Sequence, residues 1–311
     1  MRWCKVKKIL LIVSVLITAC ICLVSCELVS PQPSKGTLHV VSIGDNFENQ
    51  SEYTTLYYCE NDADAICQVF DYLGKKAGME TDIHDCTEGR LEGFIATLEE
   101  VRLNTSDDDL TVIFISTHGS NTVRRRASYY DDIDDNAYFY LEKTDDSVGK
   151  VSDSELVEYA HRFKGKVLIL ADFCYSGSLV TQDNFTYNRA NYSGSSALSI
   201  LFDRAPATGS DKVFAFSAST YYEASYSPFS DYPFSEFTKY FLKGLGLARY
   251  YPDNKSIVMS SEIPVLRNKK IILSDIYRYV YKITTNSSVV GGHTQTPQIN
   301  TGATDLILFS F

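Results

Sequence analysis

A three-layer α/β/α sandwich around a mostly parallel central sheet is the fold that this 311-residue sequence predicts. Two observations carry that expectation. Thr111–Ser116 and Lys166–Ala171 are continuous apolar or β-branched runs without polar alternation, which marks strands covered on both faces. Stretches with apolar residues at helical spacing lie before and between them, and strands alternating with helices call for crossovers that build a parallel sheet. Composition agrees: 44% of residues are hydrophobic and 22% charged, enough for a sizeable core and unlike a disordered chain or a membrane bundle.

The N-terminus is of another kind. Arg2 to Lys8 is basic and Ile9 to Val24 is apolar, the pattern of an export signal. Leu23-Val24-Ser25-Cys26 resembles the lipobox of bacterial lipoproteins, in which small residues precede a cysteine that receives diacylglycerol. Cys20 sits in a similar Ile17-Thr18-Ala19 context, but processing there would leave an apolar stub, whereas Glu27 to Lys35 after Cys26 is a polar linker. The expected organisation is thus a lipoprotein signal over 1–25, a linker over 26–36 and one domain over 37–311. Left uncleaved, the same run would be a single membrane anchor near the lower length limit for spanning a bilayer, so both readings tether the domain to a membrane. Residues 1–25 hold Arg2, Lys5, Lys7 and Lys8 and no acid, so their loss takes the formal charge from −10 to −14. A body that acidic argues against a nucleic-acid partner.

Along the domain, Thr37 to Ile43 reads as a buried strand entering a loop at Gly44-Asp45-Asn46. Asn61 is placed to cap a helix whose apolar stripe is Ala63, Ile66, Cys67, Phe70 and Leu73, with Gly74 as its stop. Met79 to His84 is a short strand, and Leu91, Phe94, Ile95, Leu98 and Val101 form a second helical stripe closed by the loop Asn104 to Asp109. Ser152-Asp153-Ser154-Glu155 is a capping box, with Val151 and Leu156 as a hydrophobic staple, opening a helix to about Phe163. Val213 to Ser217 is a strand, Phe234 to Leu245 and Ser274 to Ile283 are helices, and Asp305 to Phe309 is a last strand. No internal repeat is present.

Of eight cysteines, four belong to the N-terminal signal and Cys59, Cys67, Cys86 and Cys174 to the domain, too few for a disulfide scaffold. Cys59 and Cys67, eight residues apart on one helix, would lie about 12 Å apart along its axis, beyond bridging distance, and read as core. His118 and Cys174 stand out, because each follows directly on a strand of the sheet, and ligand sites of such sheets lie beyond the carboxyl ends of the strands. A thiol attacks a carbonyl only as thiolate, so it needs a nearby imidazole to take its proton and later to protonate the leaving amine. His39, His84, His161 and His293 are not at such a strand end and read as surface or core histidines. Gly119 and Gly177 permit close backbone approach, and the Gly119 and Cys174 amides are candidates for an oxyanion hole.

Ser116-Thr117-His118-Gly119 and Asp172-Phe173-Cys174-Tyr175-Ser176-Gly177 resemble the paired His-Gly and Asp-x-Cys-x-Ser-Gly motifs of caspase and metacaspase-like cysteine peptidases, in order and in spacing. The likeness extends through Leu56 to Ala65, Phe216 to Glu223 and Gln295 to Gln298. It implies a caspase-like three-layer sandwich, hydrolysis of peptide or protein substrates through a thioester, and His118 with Cys174 as the catalytic pair. No cofactor is implied. Metacaspases recognise Arg or Lys before the scissile bond through an acidic pocket whose Asp maps onto Asp172, where a guanidinium could pair with it. Read locally, Asp172 instead caps the following turn. Arg124-Arg125-Arg126 would then invite self-cleavage. Asp131 to Asp135 is acidic enough to suggest calcium but lacks the Gly and Glu of an EF-hand loop and reads as a solvated loop. His84, Cys86, Cys59 and Cys67 match no compact zinc spacing, so no metal is expected. The expectation is an exported, membrane-anchored cysteine endopeptidase of a bacterial envelope. The rival is a catalytically silent lipoprotein that keeps the fold for binding or scaffolding.

Overall fold

The computed structural model describes residues 35–121, 137–180, 212–227, 233–300 and 305–311. The signal and its Cys20 and Cys26, the Arg124–Arg126 run and the acidic stretch Asp131–Asp135 lie outside the described residues.

The chain runs β1 (Leu38–Gly44), α1 (Cys59–Lys76), β2 (Thr81–Asp85), α2 (Arg90–Asn104), β3 (Leu110–Ser116), β4 (Gly119–Asn121), β5 (Ala137–Glu142), β6 (Val148–Ser152), α3 (Asp153–Ala160), β7 (Lys166–Asp172), β8 (Val213–Ser217), α4 (Glu236–Gly244), β9 (Leu247–Tyr251), β10 (Ser256–Met259), β11 (Lys270–Ile272), α5 (Leu273–Gly291), β12 (Gln298–Asn300) and β13 (Ile307–Ser310). The main sheet has the order β12-β8-β7-β3-β1-β2, parallel throughout except for the antiparallel edge strand β12. Alternation along each strand sends side chains to two separate core layers. Val40, Val112, Leu168 and Phe214 face α1, α4 and α5, while Val41, Ile113, Ile169 and Ala215 face α2 and α3. The expected sandwich with its mainly parallel sheet is therefore the one observed.

The central strands are as expected, because a strand buried on both faces needs no partner information to be recognised. Several boundaries shift for local reasons. Helix α1 begins before Asn61, since its first amide, that of Cys59, is satisfied at 3.0 Å by the Asn46 side chain from the loop after β1. It also runs through Gly74, where an added Cβ would meet Thr81 Cγ2 at 2.6 Å, so that glycine serves packing against β2. The stop is Gly78, at φ +74°. There the Gly78 amide donates to Lys75 O at 3.0 Å and the Met79 amide to Gly74 O at 2.9 Å, the paired bonds of a Schellman cap. The last strand, β13, pairs with β11 in a small sheet of its own rather than joining the main one.

The capping box is present: the Glu155 amide donates to Ser152 Oγ at 3.2 Å, and the Ser152 amide to Glu155 Oε2 at 2.8 Å. Leu156 and Val151 pack in the same core layer, which completes the staple, and α3 ends at Ala160, short of Phe163. Ser152→Ala should cost about 1 kcal/mol, read as a lowered urea midpoint at unchanged slope. An unmoved midpoint would mean that the box contributes nothing.

Candidate active site

Strands β3 and β7 pair in parallel with Ser116 opposite Asp172, and the Thr117 amide extends the ladder by donating to Asp172 O at 3.2 Å. His118 and Cys174 are each two residues beyond that last pair, at the carboxyl edge of neighbouring strands. Their backbones touch: a Cβ added to Gly119 would sit 2.2 Å from the Cys174 carbonyl oxygen, so only glycine fits there. The Tyr140 amide donates to His118 O at 3.1 Å, which makes Gly119 and Phe139 the non-hydrogen-bonded pair of the β4–β5 ladder. The Gly119 amide thus points away from β5.

His118 Nε2 lies 2.6 Å from the Thr54 carbonyl. A carbonyl only accepts, so Nε2 carries the proton and Nδ1 keeps its lone pair. The ring is also held by Phe47, edge-on with centroids 5.0 Å apart, and by Tyr53 at 5.7 Å. Cys174 is a half-buried thiol outside any disulfide, and its sulfur lies 3.8 Å from the Ser225 carbonyl. Tyr175, directly after it, holds φ +68°, a left-handed turn fixed by its amide donating to Glu223 O at 2.8 Å. Gly177 permits the close backbone approach expected of it: an added Cβ there would meet Ser219 O at 2.6 Å, so it seats the turn under the segment that follows β8.

Asp172 is buried beside this pair. Its carboxylate accepts from Ser225 Oγ at 2.6 Å, Thr238 Oγ1 at 2.7 Å and the Thr238 amide at 3.2 Å. The capping role weighed for the following turn is thus exercised instead on the first turn of α4. A second acid, Asp62 of α1, is fully buried and accepts from Ser116 Oγ at 2.8 Å and from the Ser235 hydroxyl and amide. Burial, more than anything else, pushes the Asp172 carboxyl up to about 6, against the pull of the Ser225 and Thr238 hydrogen bonds. Burial likewise raises Asp62, and the nearby Asp172 charge adds to it. Both acids sit at the N-terminal turn of α4, whose amides favour negative charge. No ion pair to either carboxylate is found among the described residues.

Sequence reasoning missed Asp62, although a carboxylate on the same stripe as Cys59, Ala63 and Ile66 was a signal, since acids are almost never fully buried without partners. It also missed the Thr54 carbonyl, a backbone group that no side-chain pattern announces. Three other histidines lie against carboxylates, His84 beside Asp82 at 2.8 Å among them. His39 lies between Asp82 at 2.8 Å and Asp109 at 3.4 Å, at the far end of β1, and His293 pairs with Glu236 at 2.9 Å. Cys59, Cys67 and Cys86 are buried core thiols.

No protein-family profile matches the chain, and no curated protein matches its sequence. Many solved structures are similar, two of them as follows. Protein GSU0716 from Geobacter sulfurreducens is 14% identical with a TM-score of 0.50, over 86% of this chain and 94% of its own. Caspase-1 from Spodoptera frugiperda is 12% identical with a TM-score of 0.48, over 89% of this chain and 90% of its own. At such identities the likeness to the first is one of fold.

Asp172 binds its proton more readily folded than unfolded. Its contribution to stability is therefore full below the ordinary carboxylate value of 3.8 and is lost as pH rises through about 6. Asp172→Asn, which has no proton to lose, should flatten the fall in Tm between pH 4 and pH 7. A variant whose Tm profile tracks that of the unaltered chain would contradict the raised carboxyl.

Proposed function

We propose that this chain is a cysteine endopeptidase of the caspase and metacaspase type, carried on an exported, lipid-anchored chain, that cleaves after Arg or Lys. The observation that carries the proposal is the juxtaposition of the His118-Gly119 and Cys174 backbones at one sheet edge, with the proton of the imidazole committed to Thr54. The remaining lone pair, on Nδ1, is the base that removes the Cys174 proton. The thiolate attacks the scissile carbonyl carbon, and the resulting oxyanion is received by the Gly119 and Cys174 amides. The imidazolium passes its proton to the leaving amine, giving a thioester. Water, deprotonated by the same imidazole, then attacks the thioester and restores the thiol. Thr54 O keeps the ring oriented throughout.

Specificity follows from the buried acids. Asp172 and Asp62 share one enclosed region with hydroxyl and amide donors around them, and a guanidinium or ammonium group supplied by the substrate would compensate their charge. Such a cation draws protons off both carboxylates, so binding and deprotonation are coupled. Non-peptide acyl substrates are a second use for the same dyad, and a silent scaffold is the third reading of the fold.

Fluorogenic peptides bearing Arg, Lys or Asp before the leaving group separate these readings. Cleavage is expected after Arg or Lys, with kcat/KM falling at least about a thousandfold in Cys174→Ala and in His118→Ala. KM for the Arg peptide should rise as pH falls through about 6, where Asp172 takes up its proton and the attraction for the cation is lost. Turnover only after Asp would overturn the acidic pocket, and no turnover of any peptide would favour the scaffold.

A further inference from the structure

Residues 218–227 leave β8 and residues 292–297 lead into β12, the antiparallel pair at the edge of the main sheet. The two segments are tied together side chain to backbone. The Glu223 carboxylate accepts from the Thr296 amide at 2.9 Å, the Thr296 hydroxyl at 3.1 Å and the Thr220 amide at 3.3 Å. Next to it, Gln295 uses both ends of one carboxamide: Oε1 accepts from the Tyr226 amide at 3.1 Å, and Nε2 donates to Ser225 Oγ at 3.2 Å. Gln295 is 1% exposed, so water does not compete for these bonds. Ser225 in turn touches both halves of the site. Its hydroxyl donates to Asp172 at 2.6 Å, and its carbonyl lies 3.8 Å from Cys174 Sγ.

We propose that Gln295 is a positioning residue whose carboxamide fixes Ser225, so that this one residue holds the specificity carboxylate Asp172 and the nucleophile Cys174 in a common geometry. The proposal rests on the peptidase reading and adds to it a residue remote from the chemistry. Two features of covalent structure make the grip effective. A hydroxyl has one proton, so donation from Gln295 into the Ser225 oxygen leaves that proton directed at Asp172. The Ser225 carbonyl and the Tyr226 amide belong to one rigid peptide plane, so holding the Tyr226 N–H also aims the Ser225 carbonyl at the sulfur. Without Gln295 the hydroxyl can rotate off the carboxylate, and the plane can turn.

The test is steady-state kinetics on the Arg peptide across pH 5 to 8, with active enzyme counted by titration of Cys174. Three variants are compared with the unaltered chain. Gln295→Met removes both bonds, Gln295→Glu keeps the acceptor for Tyr226 and loses the donor, and Ser225→Ala removes the hydroxyl. Each should raise KM about tenfold, the loss expected for a hydrogen bond to a charged group. Each should also move the acid limb of KM to higher pH, because the Ser225 hydroxyl no longer supports the ionised Asp172. Gln295→Met combined with Ser225→Ala should shift the limb no further than Ser225→Ala alone, since the two act through one bond. A residue that only supported the fold would lower the titrated fraction and leave KM and the limb in place, and that result for either Gln295 variant overturns the proposal. Should both Gln295 variants fail to fold, an unchanged KM and limb in Ser225→Ala overturns it. An unaltered chain that cleaves no Arg or Lys peptide defeats the peptidase reading and this proposal with it, an outcome distinct from active chains that all behave alike.

Discussion

The pairing of β3 with β7 is the constraint on which the rest depends. With Ser116 opposite Asp172, the two strands deliver their following residues to one edge, and the ladder continues one step further through the Thr117 amide. A register slip of one residue would send His118 or Cys174 to the opposite face of the sheet, because side chains alternate with a period of two. The register is held by burial on both sides: Val112, Phe114, Leu168 and Leu170 in one core layer, Ile113, Ile115, Ile169 and Ala171 in the other. Gly119 then lets the two backbones touch where any side chain would hold them apart.

Around that edge the molecule concentrates groups that are costly to bury. Asp62 and Asp172 are enclosed, and their charge is supported by serine and threonine hydroxyls and by the first turn of α4 rather than by a lysine or arginine. A fold seeking only stability would place apolar side chains there. The raised Asp172 carboxyl is what remains when desolvation outweighs those hydrogen bonds. Tyr175, in a left-handed turn beside the thiol, is a second local cost, fixed by Glu223. Costs of this kind gather where a site requires them.

The sheet and the placing of His118 and Cys174 at its edge were legible in the sequence because Thr111–Ser116 and Lys166–Ala171 are apolar without interruption and each runs directly into its motif. The capping box at Ser152 was legible because its signal is local and chemical. What sequence reasoning did not resolve depends on distant partners. Helix α1 starts early because Asn46, from another element, caps it, and it runs through Gly74 because that glycine packs against β2. The strands of the small sheets β4-β5-β6 and β9-β10 are short and, apart from the largely buried β5, only partly buried, so their pattern is weak. Thr54, Ser225 and Gln295 act through backbone groups or across long sequence separations, which no periodicity records.

The central claim is that His118 activates Cys174, and the most direct measurement of it needs no substrate. The rate of alkylation of Cys174 by iodoacetamide, followed by mass spectrometry against pH, reports the thiolate alone. The account predicts that the unaltered chain reacts well below the pH range of an ordinary thiol, near 8.5, and that His118→Ala moves the profile up to that value. Identical profiles for the two chains would contradict it.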